Sequence, residues 1–221
     1  MRNVFKRLHY PVDIIAQGVR WYLACALSLR NLEEIMAEQE MAVDHSTLSR
    51  WVHRRVSLIV KRYRRSKPKV GRRWRMDETD IKIKGQWRYL YRAVDSDGNT
   101  VEFLLTAHRD KKAALPFFKK AMRQHGQPDV TTIDKSSANK AAVDELNKGK
   151  PKEELIVIRQ NKYLNNLIEQ DHRNVKRRIS LMLGFKHFRQ TQTVLAGIEL
   201  VSMLRKGQYP QEPGYPIRCA E

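Results

Sequence analysis

Three acidic residues carry the chemistry this sequence can be read for. Asp77, Asp134 and Glu169 lie far apart in the chain, Glu169 following Asp134 by 35 positions (169 − 134). Phosphoryl transfer on DNA needs an attacking and a leaving oxygen held in line, and two divalent cations about 4 Å apart do this. Such hard cations take oxygen ligands. Mg2+ needs only a few carboxylates, because it keeps water and accepts phosphate oxygens from its substrate. Three carboxylates brought together from adjacent strands and one helix meet that need. A trio chosen from 24 acidic residues is weak evidence alone, since any one of them can be a surface charge or a helix cap.

The third carboxylate sits in a helical stretch, Tyr163 to Arg178. At about 100° per residue, Glu169 and Lys176 share one face two turns apart. That suits a carboxylate holding a metal and a base holding a phosphate. An ordinary solvated charge pair has the same spacing. Leu164, Ile168, Val175, Ile179 and Met182 form a separate apolar stripe that can pack on a sheet. Asp171 lies about 200° from Glu169, so the two cannot face one metal pair, and Asp171 is nearer the stripe. Periodicity does not choose between them. His172, beside these charges, reads as a structural donor or a phosphate contact.

Positioning these residues requires an α/β domain. From Trp74 the period becomes strand-like: Trp74 to Lys84, Trp87 to Val94 and Val101 to Ala107, with Lys84-Gly85 and Asp95 to Asn99 as turns. Three such strands make an antiparallel meander. A helix (Ala113 to Gln124), a strand (Val130 to Asp134), a helix (Ala138 to Leu146) and a strand (Leu155 to Ile158) follow, and then the helix of Glu169. The order βββ-α-β-α-β-α predicts strands reached through helical crossovers. A last helix, Thr191 to Arg205, closes the domain, so that it spans 72–205, with an irregular tail at 206–221.

Residues 1–62 read as all-helical: Asp13 to Leu29, Asn31 to Gln39, and Thr47 to about Arg62, with Asp44 or Ser46 as N-cap. A short helix, a tight connection and a helix that opens with polar residues is the layout of a helix-turn-helix. There the early residues of the second helix meet base edges. Here these are Ser46, Thr47, Ser49 and Arg50, with Trp51 and Val52 packing behind. A plain helical bundle would show the same pattern. Residues 63–71 belong to a basic linker within a run, Lys61 to Arg75, that holds no acidic residue and suits a phosphate backbone.

The whole chain is lopsided in the same way, with 43 Lys and Arg against 24 Asp and Glu in 221 residues, a formal +19. This predicts a polyanionic partner. A membrane is the poorer fit, since Arg20 interrupts the most apolar early segment. The two cysteines, Cys25 and Cys219, lack paired spacing, which fits a reducing cytosol and gives no cysteine metal site.

With these residues on the page, the chain resembles the IS6 family of bacterial insertion-sequence transposases, of the DDE type. Four blocks carry the resemblance. They are Val19 to Tyr22 with Asp44 to Thr47 and Arg50 to Val52; Met76-Asp77-Glu78-Thr79 followed by Gly85, Trp87 and Tyr89 to Asp95; Ile133-Asp134-Lys135; and Lys162 to Arg173. Asp80 departs from the family's usual aromatic residue, and Leu29 and Ser49 from frequent tyrosines. The resemblance implies an RNase H-like catalytic domain preceded by a helix-turn-helix. It implies Asp77, Asp134 and Glu169 as the catalytic, metal-binding triad with two Mg2+ (or Mn2+), and it chooses Glu169 over Asp171. Lys176, with help from Arg173, would contact a terminal phosphate. The implied partners are the inverted repeats at the element ends, target DNA and further copies of the chain, in the cytoplasm at the nucleoid. A DNA-binding regulator with an inert α/β domain, a degraded transposase copy and a stand-alone nuclease of RNase H type are the alternatives.

Overall fold

The computed structural model describes residues 10–134, 136–160, 166–182 and 185–210. Its contacts group into two compact units, residues 68–174 and residues 1–67 with 175–221.

In the first unit, β1 (Arg73–Ile83) and β2 (Gln86–Val94) form a hairpin closed by Lys84 and Gly85, both with positive φ. That conformation is the two-residue turn matching strand twist, and glycine takes it without Cβ strain. β3 (Thr100–Thr106) pairs antiparallel with β2. Asp95 holds the turn between them: it is fully buried and accepts from the N–H groups of Asp97 and Asn99, the Asn99 amide and the Gly71 N–H. α4 (Lys111–His125), β4 (Val130–Ile133), α5 (Ser137–Asn147), a short 3-10 turn and β5 (Val157–Gln160) follow. β4 runs parallel to β1, and β5 parallel to β4, giving the order β3-β2-β1-β4-β5. This is the ground plan of an RNase H-like sheet. Its α4/α5 side packs Trp74, Met76, Tyr91 and Ala93 against Phe117, Phe118, Ala142 and Val143.

α6 (Asn166–Ser180) comes next, and the division between the units falls within it. Tyr163 and Leu164, expected at its start, lie outside the described residues. Its buried positions are Ile168, His172, Val175 and Arg178, so the apolar stripe read from the sequence includes two polar members, and Ile179 is only half-buried.

The second unit is helical. α1 (Val12–Ala24) stops five residues short of the expected Leu29. Ser28 is the reason: it caps α2 (Leu29–Glu38) by accepting the Asn31 N–H at 3.1 Å, while the Asn31 side chain accepts the Ser28 N–H. α3 (His45–Arg65) starts from the Asp44 cap and runs three residues beyond the expected Arg62. Trp51 and Val52 are buried, as the spacing predicts. α7 (Phe188–Arg205), expected to close the α/β domain, packs instead on α1 and α3. Gly197 permits that approach. A Cβ there would stand 2.6 Å from Leu23 Cδ2 and 2.9 Å from Val56 Cγ1. Among the described residues, no helix is long and apolar enough to cross a membrane.

Candidate active site

Asp77 and Asp134 meet because of strand register. β1 and β4 run parallel with Arg75 opposite Thr132, and each aspartate lies two residues beyond that pair. The end of β4 therefore delivers Asp134 beside the middle of β1. One carboxylate oxygen each from Asp77, Glu78 and Asp134 fall within 4.8 Å of one another. Ser136 fixes Asp134 by donating its N–H to Oδ1 at 2.9 Å.

Crowded carboxylates repel. Burial first, and then the Glu78 charge, push the Asp77 carboxyl up to about 7, with smaller pushes from Asp134 and Glu169. Burial also raises Glu78, against the opposing pull of Asn139 and Arg109. Negative charges that raise a neighbouring carboxyl's pKa are what a divalent cation relieves, and oxygen donors are what Mg2+ or Mn2+ takes. The residues present therefore fit such an ion.

Glu169 stands apart from the close trio. It is exposed on α6, lining a shallow hollow with Asn166, Gln170 and Arg173, yet near enough for its charge to act on Asp77. Asp171, its rival in the sequence, is committed elsewhere. Its Oδ2 accepts from Arg92 Nη2 at 3.2 Å, and the Arg92 side chain is 1% exposed. Arg92 is the β2 residue registered opposite Asp77, so this ion pair ties α6 to the sheet next to the site. His172, also buried, brings Nδ1 to 3.5 Å from Asp77 Oδ2. Arg173 and Lys176 are exposed on α6.

Sequence reasoning gave no role to Glu78, Arg109, Asn139 or Arg92. Alternation along a strand sends Glu78 to the face opposite Asp77, which hid its proximity. Arg109 and Arg92 were two among 43 basic residues, and only the fold gives them partners.

In the helical unit, the four residues expected at base edges open α3. Asp44 accepts the N–H groups and the hydroxyls of both Ser46 and Thr47, and these hydroxyls hold its carboxyl well below the usual range. Arg50 reaches back to Thr47 Oγ1 at 2.7 Å. His45 bridges to Glu33 of α2 at 2.9 Å. Ser46 and Arg50 are exposed; Thr47 and Ser49 are half-buried.

A sheet in this order, with Asp77 on β1 and Asp134 just past the end of β4, has the plan of a polynucleotidyl transferase core. Residues 71–208 match a known family described as a DDE domain. The chain is 37% identical over 205 residues to the transposase for insertion sequence-like element IS431mec of Staphylococcus aureus, covering 92% of this chain and 89% of that one. It is equally similar, over the same shares, to the Staphylococcus aureus transposase for insertion sequence element IS257 in transposon Tn4003. Among solved structures it is similar to the HTLV-2 integrase catalytic core domain in complex with magnesium. That match has 14% identity and a TM-score of 0.45, over 60% of this chain and 86% of that one. The chain belongs to the IS6 family of DDE transposases.

Proposed function

We propose that Asp77, Asp134 and Glu169 together hold two Mg2+ or Mn2+ ions, and that the chain cuts DNA at the ends of its element and joins them to target DNA. When bound, such ions activate an attacking oxygen and neutralise a leaving one. The chain's own residues do the rest. Asp77 and Asp134 present fixed oxygens from the sheet. Glu169 is carried toward them by α6, whose seat depends on the Arg92–Asp171 pair. Arg173 and Lys176, one and two turns beyond Glu169, offer cations to the phosphates flanking the cut. No Ser, Tyr or Cys is assigned as a nucleophile, because water and then the freed 3′-OH attack the phosphorus directly.

The helical unit is the reader in this proposal. Ser46, Thr47, Ser49 and Arg50 would approach base edges from the start of α3, and the basic residues from Lys61 onward would follow the backbone. Pairing two element ends calls for more than one copy, acting where the DNA is, in the cytoplasm at the nucleoid. The single observation that carries the catalytic reading is the crowding of Asp77 and Asp134 just beyond the registered β1–β4 pairs, with Asp77 pushed up to about 7. Asp134→Asn tests it, with DNA carrying the element ends as substrate and Mg2+ as the metal. Cleavage and joining should fall by roughly a thousandfold or more, several kcal/mol of lost charge stabilisation. A variant that joins ends as fast as the parent would refute the proposal.

A further inference from the structure

We infer that Arg109 is a positioning residue for Asp134, clamped in place by the buried Glu78 carboxylate, and that Glu78 stands outside the cation-holding set. The inference rests on the reading of Asp134 as a cation-holding carboxylate. Glu78 follows Asp77 in β1, but its side chain is 1% exposed where that of Asp77 is 19% exposed. It points to the α4/α5 side, the side of Trp74 and Met76. Both of its oxygens are engaged there. Oε1 is paired with Arg109 Nε, and Oε2 accepts the Asn139 amide at 2.8 Å. A carboxylate so enclosed is a poor ligand for an ion that arrives from solvent carrying water.

What Glu78 does instead follows from what it holds. Arg109 immediately precedes Asp110, the N-cap of α4, whose carboxylate accepts the Ala113 N–H at 2.8 Å. Asn139 is fully buried in the first turn of α5. Glu78 thus ties the starts of α4 and α5 to β1, and helix N-termini favour a negative charge there. The far arm of the Arg109 guanidinium, Nη2, stands 3.6 Å from Asp134 Oδ2, on the opposite oxygen from the Ser136 N–H. Asp134 is therefore steadied from both sides. A planar fork can face two carboxylates in two fixed directions, whereas a lysine ammonium is a single point charge on a flexible stem. Partners of this kind around a metal ligand set its orientation, and losing one costs about 10–100-fold in affinity or activity.

The test uses the full chain and Mn2+ alone. Free Mn2+ is counted by electron paramagnetic resonance without DNA, and DNA end cleavage is measured separately against Mg2+ concentration. Arg109→Lys keeps the charge but loses the fork. It should weaken Mn2+ binding roughly tenfold, raise the Mg2+ requirement, and leave the affinity for DNA unchanged. Glu78→Gln should do the same, and the double variant should be no worse than the worse single. If Glu78→Gln melts too early to assay, Asn139→Ala, which removes only one hydrogen bond from Glu78, should still weaken Mn2+ binding several-fold. Parent-like Mn2+ affinity in Arg109→Lys overturns the inference, as does a change confined to DNA affinity, which would make Arg109 a phosphate contact. Loss of a whole bound Mn2+ in Glu78→Gln alone would make Glu78 a ligand and also overturn it. Asp134→Asn separates the two levels. If it binds Mn2+ as the parent does, the reading of Asp134 itself fails; if it binds weakly while Arg109→Lys binds normally, only the role of Arg109 fails.

Discussion

The acidic residues around the site fall into two sets that are held differently. Asp77, Glu78 and Asp134 come from the sheet, where ladder hydrogen bonds fix the backbone and register sets the spacing. Glu169 and Asp171 come from α6, a helix held beside the sheet by the buried Arg92–Asp171 pair and by His172 against Asp77. The sheet set is crowded and repels itself. In the helix set, Asp171 is committed to Arg92 and Glu169 faces solvent. The carboxylates carried by the sheet are thus held in place and accept the cost of crowding. In the proposed site the placing of Glu169 depends on Asp171, two residues further along α6.

Beyond the loss expected of Asp134→Asn, the next largest effect separates the two helix carboxylates. Glu169→Gln should lower end cleavage roughly a hundredfold, about 3 kcal/mol of barrier, with the melting temperature unchanged. Asp171→Ala should do the converse. It removes the Asp171 carboxylate from the buried Arg92 guanidinium, a loss that should cost about 1–3 kcal/mol of stability, read as a lower midpoint in urea. If Asp171→Ala spared the fold and Glu169→Gln lowered it, the roles assigned on α6 would be reversed.

A second effect sharpens the account of the sheet set. The folded Asp77 carboxyl is raised from its ordinary 3.8 to about 7. Between those pH values the native state binds more protons than the unfolded chain, so metal-free stability falls as pH rises through this window. Mg2+, binding the ionised form, should restore stability toward pH 7, and its affinity should climb with pH and level off above about 7. Thermal melts across pH with and without Mg2+ check both slopes. A metal-free profile that rises over this range would contradict the crowding.

The smallest effect lies away from both sets. Arg50→Ala, at the start of α3, should weaken binding to element ends by about 1–3 kcal/mol with a shallower salt dependence. The metal requirement should not move. A shift in that requirement would mean that the cation-binding set extends beyond the α/β unit.

How far the sequence disclosed these sets depended on whether the information was local. The hairpin at Lys84-Gly85 was legible because two positive-φ residues between alternating strands leave one tight solution. The cap of α3 was legible to within Asp44 or Ser46 for the same local reason, and the hydrogen bonds fall to Asp44. Asp77 and Asp134 were legible from the strand order together with the family blocks. The choice of Glu169 over Asp171 came from the family alone. What engages Asp171 is Arg92, 79 residues earlier, a partner no periodicity could reveal. The packing of α7 was hidden because its buried residues, among them Val194, Leu195, Ile198, Glu199 and Leu200, run around the helix and leave no single apolar face to point at a partner. Glu78 was hidden because strand alternation argues that it faces away from Asp77, and Arg109 because only the fold gives it Glu78 and Asp134 as partners.

The central claim is that Asp77 and Asp134 share divalent cations with Glu169. Crystals of the full chain grown with Mn2+ and measured at its absorption edge test this most directly. The account predicts anomalous peaks between the Asp77 and Asp134 carboxylates, with the Glu169 carboxylate turned in to meet them and Glu78 still on Arg109 and Asn139. Peaks ligated by Glu78 with Glu169 left in solvent, or Mn2+ bound only elsewhere, would contradict it.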